Sequence, residues 1–196
     1  MRQTKRISTR QLTLGAMLTA LVVALQFVAM AFRGPTFSIS LVLVPIVVGA
    51  ALCNPYIGAW LGFVFGLVVL FSGDATAFMQ INAPATIFVV LLKGTASGLI
   101  AGFVYRALEK INGVVATIVA AIVCPLVNTG VFFVGCMLFF IDQISVWAQG
   151  AGFGSAVTYV VVIMIGINFL IEMAINLVLS PVIVRLLNIR RKQTGN

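Results

Sequence analysis

Long apolar runs, broken by few charges, decide what this sequence can fold into. A helix that crosses a bilayer needs ~20 mostly apolar residues. Six runs approach or exceed that length, at about residues 12–32, 39–53, 56–72, 85–105, 114–140 and 156–184. Turn and breaker residues separate them, among them Arg33-Gly34-Pro35, Asn54-Pro55, Gly73-Asp74 and Glu109-Lys110-Ile111-Asn112-Gly113. Composition agrees. Of 196 residues, 62% are hydrophobic and 8% charged, where a soluble domain has ~25% charged. Twelve Lys/Arg and four Asp/Glu cannot cover a soluble surface, so lipid must be the solvent for most of the chain. That excludes a soluble enzyme, a nucleic-acid-binding domain and a disordered tail. The expectation is an all-α integral membrane protein of six transmembrane helices. It forms a single domain over residues 1–196, with short basic tails at about 1–11 and 188–196. The second and third spans are short and joined by a tight turn. Residues 74–82 and 142–155 are more polar and read as loops, with Trp147 as an interfacial anchor.

The net charge of +8 reads as topology rather than as affinity for nucleic acid. With six spans, Arg2, Lys5, Arg6, Arg10, Arg106, Lys110, Arg185, Arg190, Arg191 and Lys192 all fall on one side. Arg33 alone falls on the other. Basic residues favour the cytoplasmic side, which places both termini there. The basic start, the apolar run and Ala29-Met30-Ala31 follow signal-peptide grammar, but the run is longer than the ~7–15 residues of a signal core. It is therefore read as a retained first span. Cys53, Cys124 and Cys136 lie in or beside apolar stretches and read as buried thiols. They have no metal-ligand spacing and His is absent, so neither a metal nor a cofactor is expected.

Small residues recur four apart: Ala16, Ala20 and Ala24 on the first span, Gly58, Gly62 and Gly66 on the third, Gly94, Gly98 and Gly102 on the fourth. Such stripes let helix backbones approach within lipid. The glycine stripes read as internal packing. The alanine stripe, beside a basic tail, could equally be a docking face for another membrane protein.

Ionisable and carboxamide groups inside a bilayer are expensive and so are functional candidates. At ~1.5 Å per residue, Lys93 and Glu172 each lie roughly 20 Å from the cytoplasmic boundary, Asn128 roughly 22 Å and Gln26 roughly 24 Å. Asn168 and Asn176 lie one turn to either side of Glu172 on the same face. One reading is a Lys93–Glu172 pair that only holds helices together. The other is a polar pocket for a small molecule, open to the outside, with Phe132 one turn from Asn128 as a stacking surface. No phosphate-binding loop, nucleophile–base set or inverted repeat is evident. A pocket without an engine suits a binding subunit that works with others.

At this point the chain resembles the substrate-binding (S) components of energy-coupling factor (ECF) vitamin transporters. The resemblance is carried by Thr9-Arg10-Gln11-Leu12-Thr13-Leu14-Gly15-Ala16-Met17-Leu18-Thr19-Ala20-Leu21, by Pro45-Ile46-Val47-Val48-Gly49-Ala50 followed by Gly58-Ala59-Trp60-Leu61-Gly62, by Lys93-Gly94 with Gly98, and by Asn128-Thr129-Gly130. It implies a high-affinity, multi-pass binding subunit in the bacterial plasma membrane, and not an enzyme. It implies docking through Ala16, Ala20 and Ala24 on a coupling (T) subunit powered by two separate ATPase subunits. It further implies toppling in the membrane with the ligand. The substrate-binding set is then Lys93, Asn128, Asn168, Glu172, Gln26 and Phe132, with residues 33–38 and 74–82 as lids. Lys93 would meet a ligand carboxylate or other electronegative group, and Glu172 would orient Lys93 or accept a hydroxyl. A deep lysine favours pantothenate slightly, with riboflavin next. Two alternatives use other chemistry. A self-sufficient ion-coupled secondary transporter or channel would use the same layer as a gate. A membrane enzyme or scaffold would have only Asp74, Asp142 and Glu109 to work with.

Overall fold

Three asparagines set the starts of three helices in the computed structural model, which describes residues 9–31 and 41–193. Asn54 Oδ1 accepts the Ile57 N–H at 2.9 Å, and Asn82 Oδ1 the Ala85 N–H at 3.1 Å. Asn112 Oδ1 accepts the N–H groups of Val114 and Val115 at 2.8 and 3.2 Å. Each takes up backbone donors that a helix start leaves without partners. Proline follows in the first turn after Asn54 and Asn82, where its missing N–H costs nothing. Asn112→Ala is expected to lower stability by ~1 kcal/mol, the usual value of such a cap, read as thermal unfolding in detergent.

The helices are α1 (Thr9–Ala31), α2 (Leu43–Leu52), α3 (Pro55–Phe71), α4 (Thr76–Ile81), α5 (Ala83–Leu108), α6 (Gly113–Phe139), α7 (Ile141–Gly150), α8 (Ala156–Tyr159) and α9 (Ile167–Gln193). A π-helical stretch, Val160–Gly166, joins α8 to α9. No strand occurs among the described residues. Among the described residues, four stretches are long and apolar enough to cross a membrane: Gln11–Met30, Ala83–Leu108, Gly113–Phe139 and Ala156–Arg185. The expected second span is shorter as a helix than as an apolar run. α2 has 10 residues and rises ~15 Å, half of a ~30 Å hydrocarbon core. α3 has 17 residues and reaches ~25 Å. Residues 32–40, which hold Arg33 and the 33–38 lid, lie outside the described residues. So do 1–8 and 194–196, while the expected C-terminal tail is helical to Gln193.

The two glycine stripes meet. α3 and α5 run antiparallel, with Gly58 against Gly98, Gly62 against Gly94 and Gly66 against Val90. A Cβ on Gly62 would collide with the Gly94 carbonyl, and one on Gly94 with that of Gly62. Ala50 of α2 packs against Gly58 and Gly102 at the same seam. α2 is buried along nearly its whole length, so the shortest of these three helices fills the centre of the bundle. At one end of the bundle the Cys53 carbonyl, in the α2–α3 turn, accepts from Gln11 Nε2 of α1 at 3.1 Å and from Arg106 Nη2 of α5 at 3.2 Å.

Both stretches expected as loops contain helix. In 74–82, α4 turns Phe78 inward and leaves Gln80 exposed. In 142–155, α7 buries Ile144 and Ala148 and exposes Val146 and Gln149. Such short, mixed segments are amphipathic helices lying along the bundle. Trp147 and Phe78 pack nearly perpendicular to each other, with ring centroids 5.8 Å apart.

Candidate functional site: a polar cavity between two apolar clusters

One apolar cluster is built on α2, α3 and α5, and a second on Cys136, Phe140, Ile144 and Val160. Between them lies a cavity of about 190 Å³. It sits at the end of the bundle where α1 and α3 finish and α5 begins. Gly73 makes this end possible: its φ of +83° turns the chain out of α3 in a conformation that L side chains rarely adopt. Asp74, the next residue, is thereby set in the cavity wall.

Gln26, Lys93, Asn128, Phe132, Asn168 and Glu172, expected to share one layer, all line this cavity. They arrive on four helices. Lys93 Nζ lies 5.1 Å from the centre of the Phe132 ring, within cation–π range. Lys93 and Glu172 do not form the ion pair that a purely structural reading required. Among the described residues, no acidic oxygen lies within 4.0 Å of the ammonium. Glu172 and Asp74 are the acids whose fields reach it. Glu172 is only 8% exposed. Asn168 Nδ2 donates to the Met164 carbonyl at 3.3 Å. Asn176, on the Glu172 face, is wholly buried away from the cavity and donates to the Glu172 backbone carbonyl at 2.8 Å. The π-helical stretch leads directly into Asn168, and such wide turns cluster at functional sites.

Gln26 and Asn128 carry the strongest signal. Each is 5% exposed, and among the described residues Gln26 Oε1 and Asn128 Oδ1 have no hydrogen-bond partner, a state shared away from the cavity only by Asn176 Oδ1. A buried acceptor without a donor costs ~1–3 kcal/mol, so native proteins seldom leave one unmet without reason. Both belong to side chains on the cavity wall, where an occupant can supply the missing donors.

Sequence reasoning placed Asp74 only at the start of the 74–82 lid and gave its side chain no part in the wall. Its Oδ2 accepts from Gln26 Nε2 at 2.8 Å and from Ser72 Oγ at 2.9 Å. Phe78 was missed as well. It makes edge-on contacts with Phe132, Phe140 and Trp147 at centroid separations of 5.7, 5.0 and 5.8 Å. The position of Asp74 immediately after a span-ending glycine was a usable clue. With 15 phenylalanines in the sequence, no comparable clue marked Phe78.

A family model for the substrate-specific component of ECF transporters matches residues 10–184. The chain belongs to this family. No individual curated protein and no solved structure matches it. As an S component it is a multi-pass membrane subunit of a transporter, and the apolar helical bundle is the form such a subunit requires. The chemistry expected of it is recognition of a substrate, which the cavity wall can provide through a cation, two carboxylates, carboxamides and aromatic rings. Ala16, Ala20 and Ala24 of this S component lie exposed on α1.

Proposed function

We propose that this S component binds a vitamin with high affinity in the cavity between α1, α5, α6 and α9. It delivers the vitamin inward as part of an ECF importer in the bacterial plasma membrane. In this reading the chain is one transmembrane domain that crosses six times, with α2 and α3 and their flanking residues making the second and third crossings. Both termini are cytoplasmic, as the ten-to-one distribution of basic residues favours. The cavity end is the outer end. The exposed Ala16, Ala20 and Ala24 dock on a coupling subunit, because small residues allow close helix approach in lipid. Two ATPase subunits supply the energy.

The observation that carries the ligand reading is the pair of acceptors unmet among the described residues, Gln26 Oε1 and Asn128 Oδ1, on side chains that line the same cavity as Lys93. Pantothenate matches this set. Its hydroxyls and amide N–H supply donors, and its carboxylate suits Lys93. The cavity's 190 Å³ falls below the ~300–1,000 Å³ of drug-sized ligand sites and favours a small ligand over the three-ring system of riboflavin. Riboflavin, which could stack on Phe132, is the second choice.

Native mass spectrometry of the protein purified from cells grown in rich medium tests the proposal. The expected result is a retained molecule of pantothenate mass, or its capture on incubation with a panel of B vitamins. A chain that stays empty with every vitamin, yet drives uptake alone in liposomes without ATP, would support the ion-coupled carrier instead.

A further inference from the structure

We infer that Asp74 is a specificity-determining residue that acts through Gln26, fixing its carboxamide so that the cavity selects ligands bearing a hydrogen-bond donor. The inference rests on the proposed ligand cavity. The two ends of a glutamine amide are told apart by their hydrogen-bond partners. Here chemistry settles which is which, because a carboxylate can only accept and so must face the NH₂ end of Gln26. The 2.8 Å contact from Nε2 to Asp74 Oδ2 therefore leaves Oε1, which is buried and has no partner among the described residues, as the atom that a donor on an occupant would satisfy. Ser72 Oγ, donating to the same Asp74 oxygen at 2.9 Å, braces the carboxylate at the exit from α3. Gln26 is 5% exposed, so its amide has little bulk water to turn toward, and Oε1 is without a partner among the described residues. An N–H or O–H on the ligand satisfies it. A ligand presenting an acceptor there leaves two acceptors facing each other.

The pair makes an exchange experiment possible. In Asp74→Asn, the new amide can donate to Gln26 Oε1, which consumes the acceptor and turns an N–H toward the cavity. When Gln26→Glu is combined with Asp74→Asn, the new amide at position 74 donates to the new carboxylate at position 26. The second oxygen of that carboxylate is again an acceptor. The net charge of the pair is unchanged.

The test uses the full chain in nanodiscs with pantothenate as probe. Calorimetry is expected to show Asp74→Asn weakening binding about tenfold or more, and the double exchange recovering it to within about threefold. A double exchange that folds with the parent's Tm but binds as poorly as the single change overturns the inference. A second readout needs no ligand. With ¹⁵N-glutamine labelling, the Gln26 side-chain N–H resonances, identified by their loss in Gln26→Glu, are expected to be protected from exchange in the parent. They should lose that protection in Asp74→Asn. Because an asparagine oxygen could still accept from Gln26, Asp74→Ala is measured beside it, and resonances unaffected by both Asp74→Asn and Asp74→Ala overturn the inference whatever binds. If the parent binds no vitamin while the resonances respond, the ligand reading fails and the role of Asp74 in setting the amide stands.

Discussion

Replacing either Gly62 or Gly94 by alanine is expected to lower the thermal unfolding temperature in detergent sharply, with a loss of ~3 kcal/mol or more, the upper end for overpacking. The reason is what the added methyl would strike. At Gly62 it meets the carbonyl of Gly94 and the Thr95 backbone nitrogen; at Gly94 it meets the Gly62 carbonyl. A crowded side chain can change rotamer, but two helix backbones can only move apart. Within lipid that separation has no hydrophobic compensation, because helix association there depends on close van der Waals contact. Lys93 adjoins Gly94, so displacement of α5 would also move the ammonium relative to Phe132 and weaken ligand binding. Gly130→Ala is the control. Nothing lies within 4 Å of the position where its Cβ would stand, so a change within about ±0.5 kcal/mol is expected. An alanine at 62 or 94 that unfolds with the parent would mean that the α3–α5 seam is not a backbone contact.

That seam was legible because its signal is chemical and periodic: glycines one turn apart on two helices have few uses in lipid other than letting them touch. The polar wall was legible for a related reason. A lysine, a glutamate and three carboxamides stand out in apolar runs, and the constant rise of a helix converts sequence distance into depth. Whether two such groups touch is another matter. The Lys93–Glu172 distance depends on the rotation of α5 against α9, which depth along either axis does not encode. Asp74 was illegible because a carboxylate at a helix end has cheap access to water in most folds, and only the Gly73 turn sets this one in the wall. α4 and α7 were hidden by their short length and mixed polarity, in which two or three inward residues make the whole difference. The helical length of α2 was hidden because an apolar run marks burial, and burial at the centre of a bundle looks the same as burial in lipid.

Lys93→Met is expected to weaken pantothenate binding roughly 10- to 100-fold, the range for losing a charge-assisted hydrogen bond, while leaving the unfolding temperature close to that of the parent. Methionine keeps most of the length and the apolar stem over Phe132 and removes only the charge. If Lys93 were a structural strut paired to Glu172, its removal would strand a buried carboxylate and destabilise the fold by ~3–5 kcal/mol. Among the described residues no acid lies within ion-pairing distance, so that penalty is not expected, and the charge is instead available to a ligand. Glu172→Gln separates two roles for its partner across the cavity. If the carboxylate accepts a ligand hydroxyl, the glutamine oxygen still can, and affinity falls by less than about tenfold. If its negative charge orients Lys93, then Glu172→Gln should weaken binding in the parent and have no further effect in Lys93→Met. Isothermal titration of the four proteins completes the cycle. Unchanged affinity in both single variants would move the ligand away from this wall; a loss in both with coupling near zero would assign each residue its own contact with the ligand.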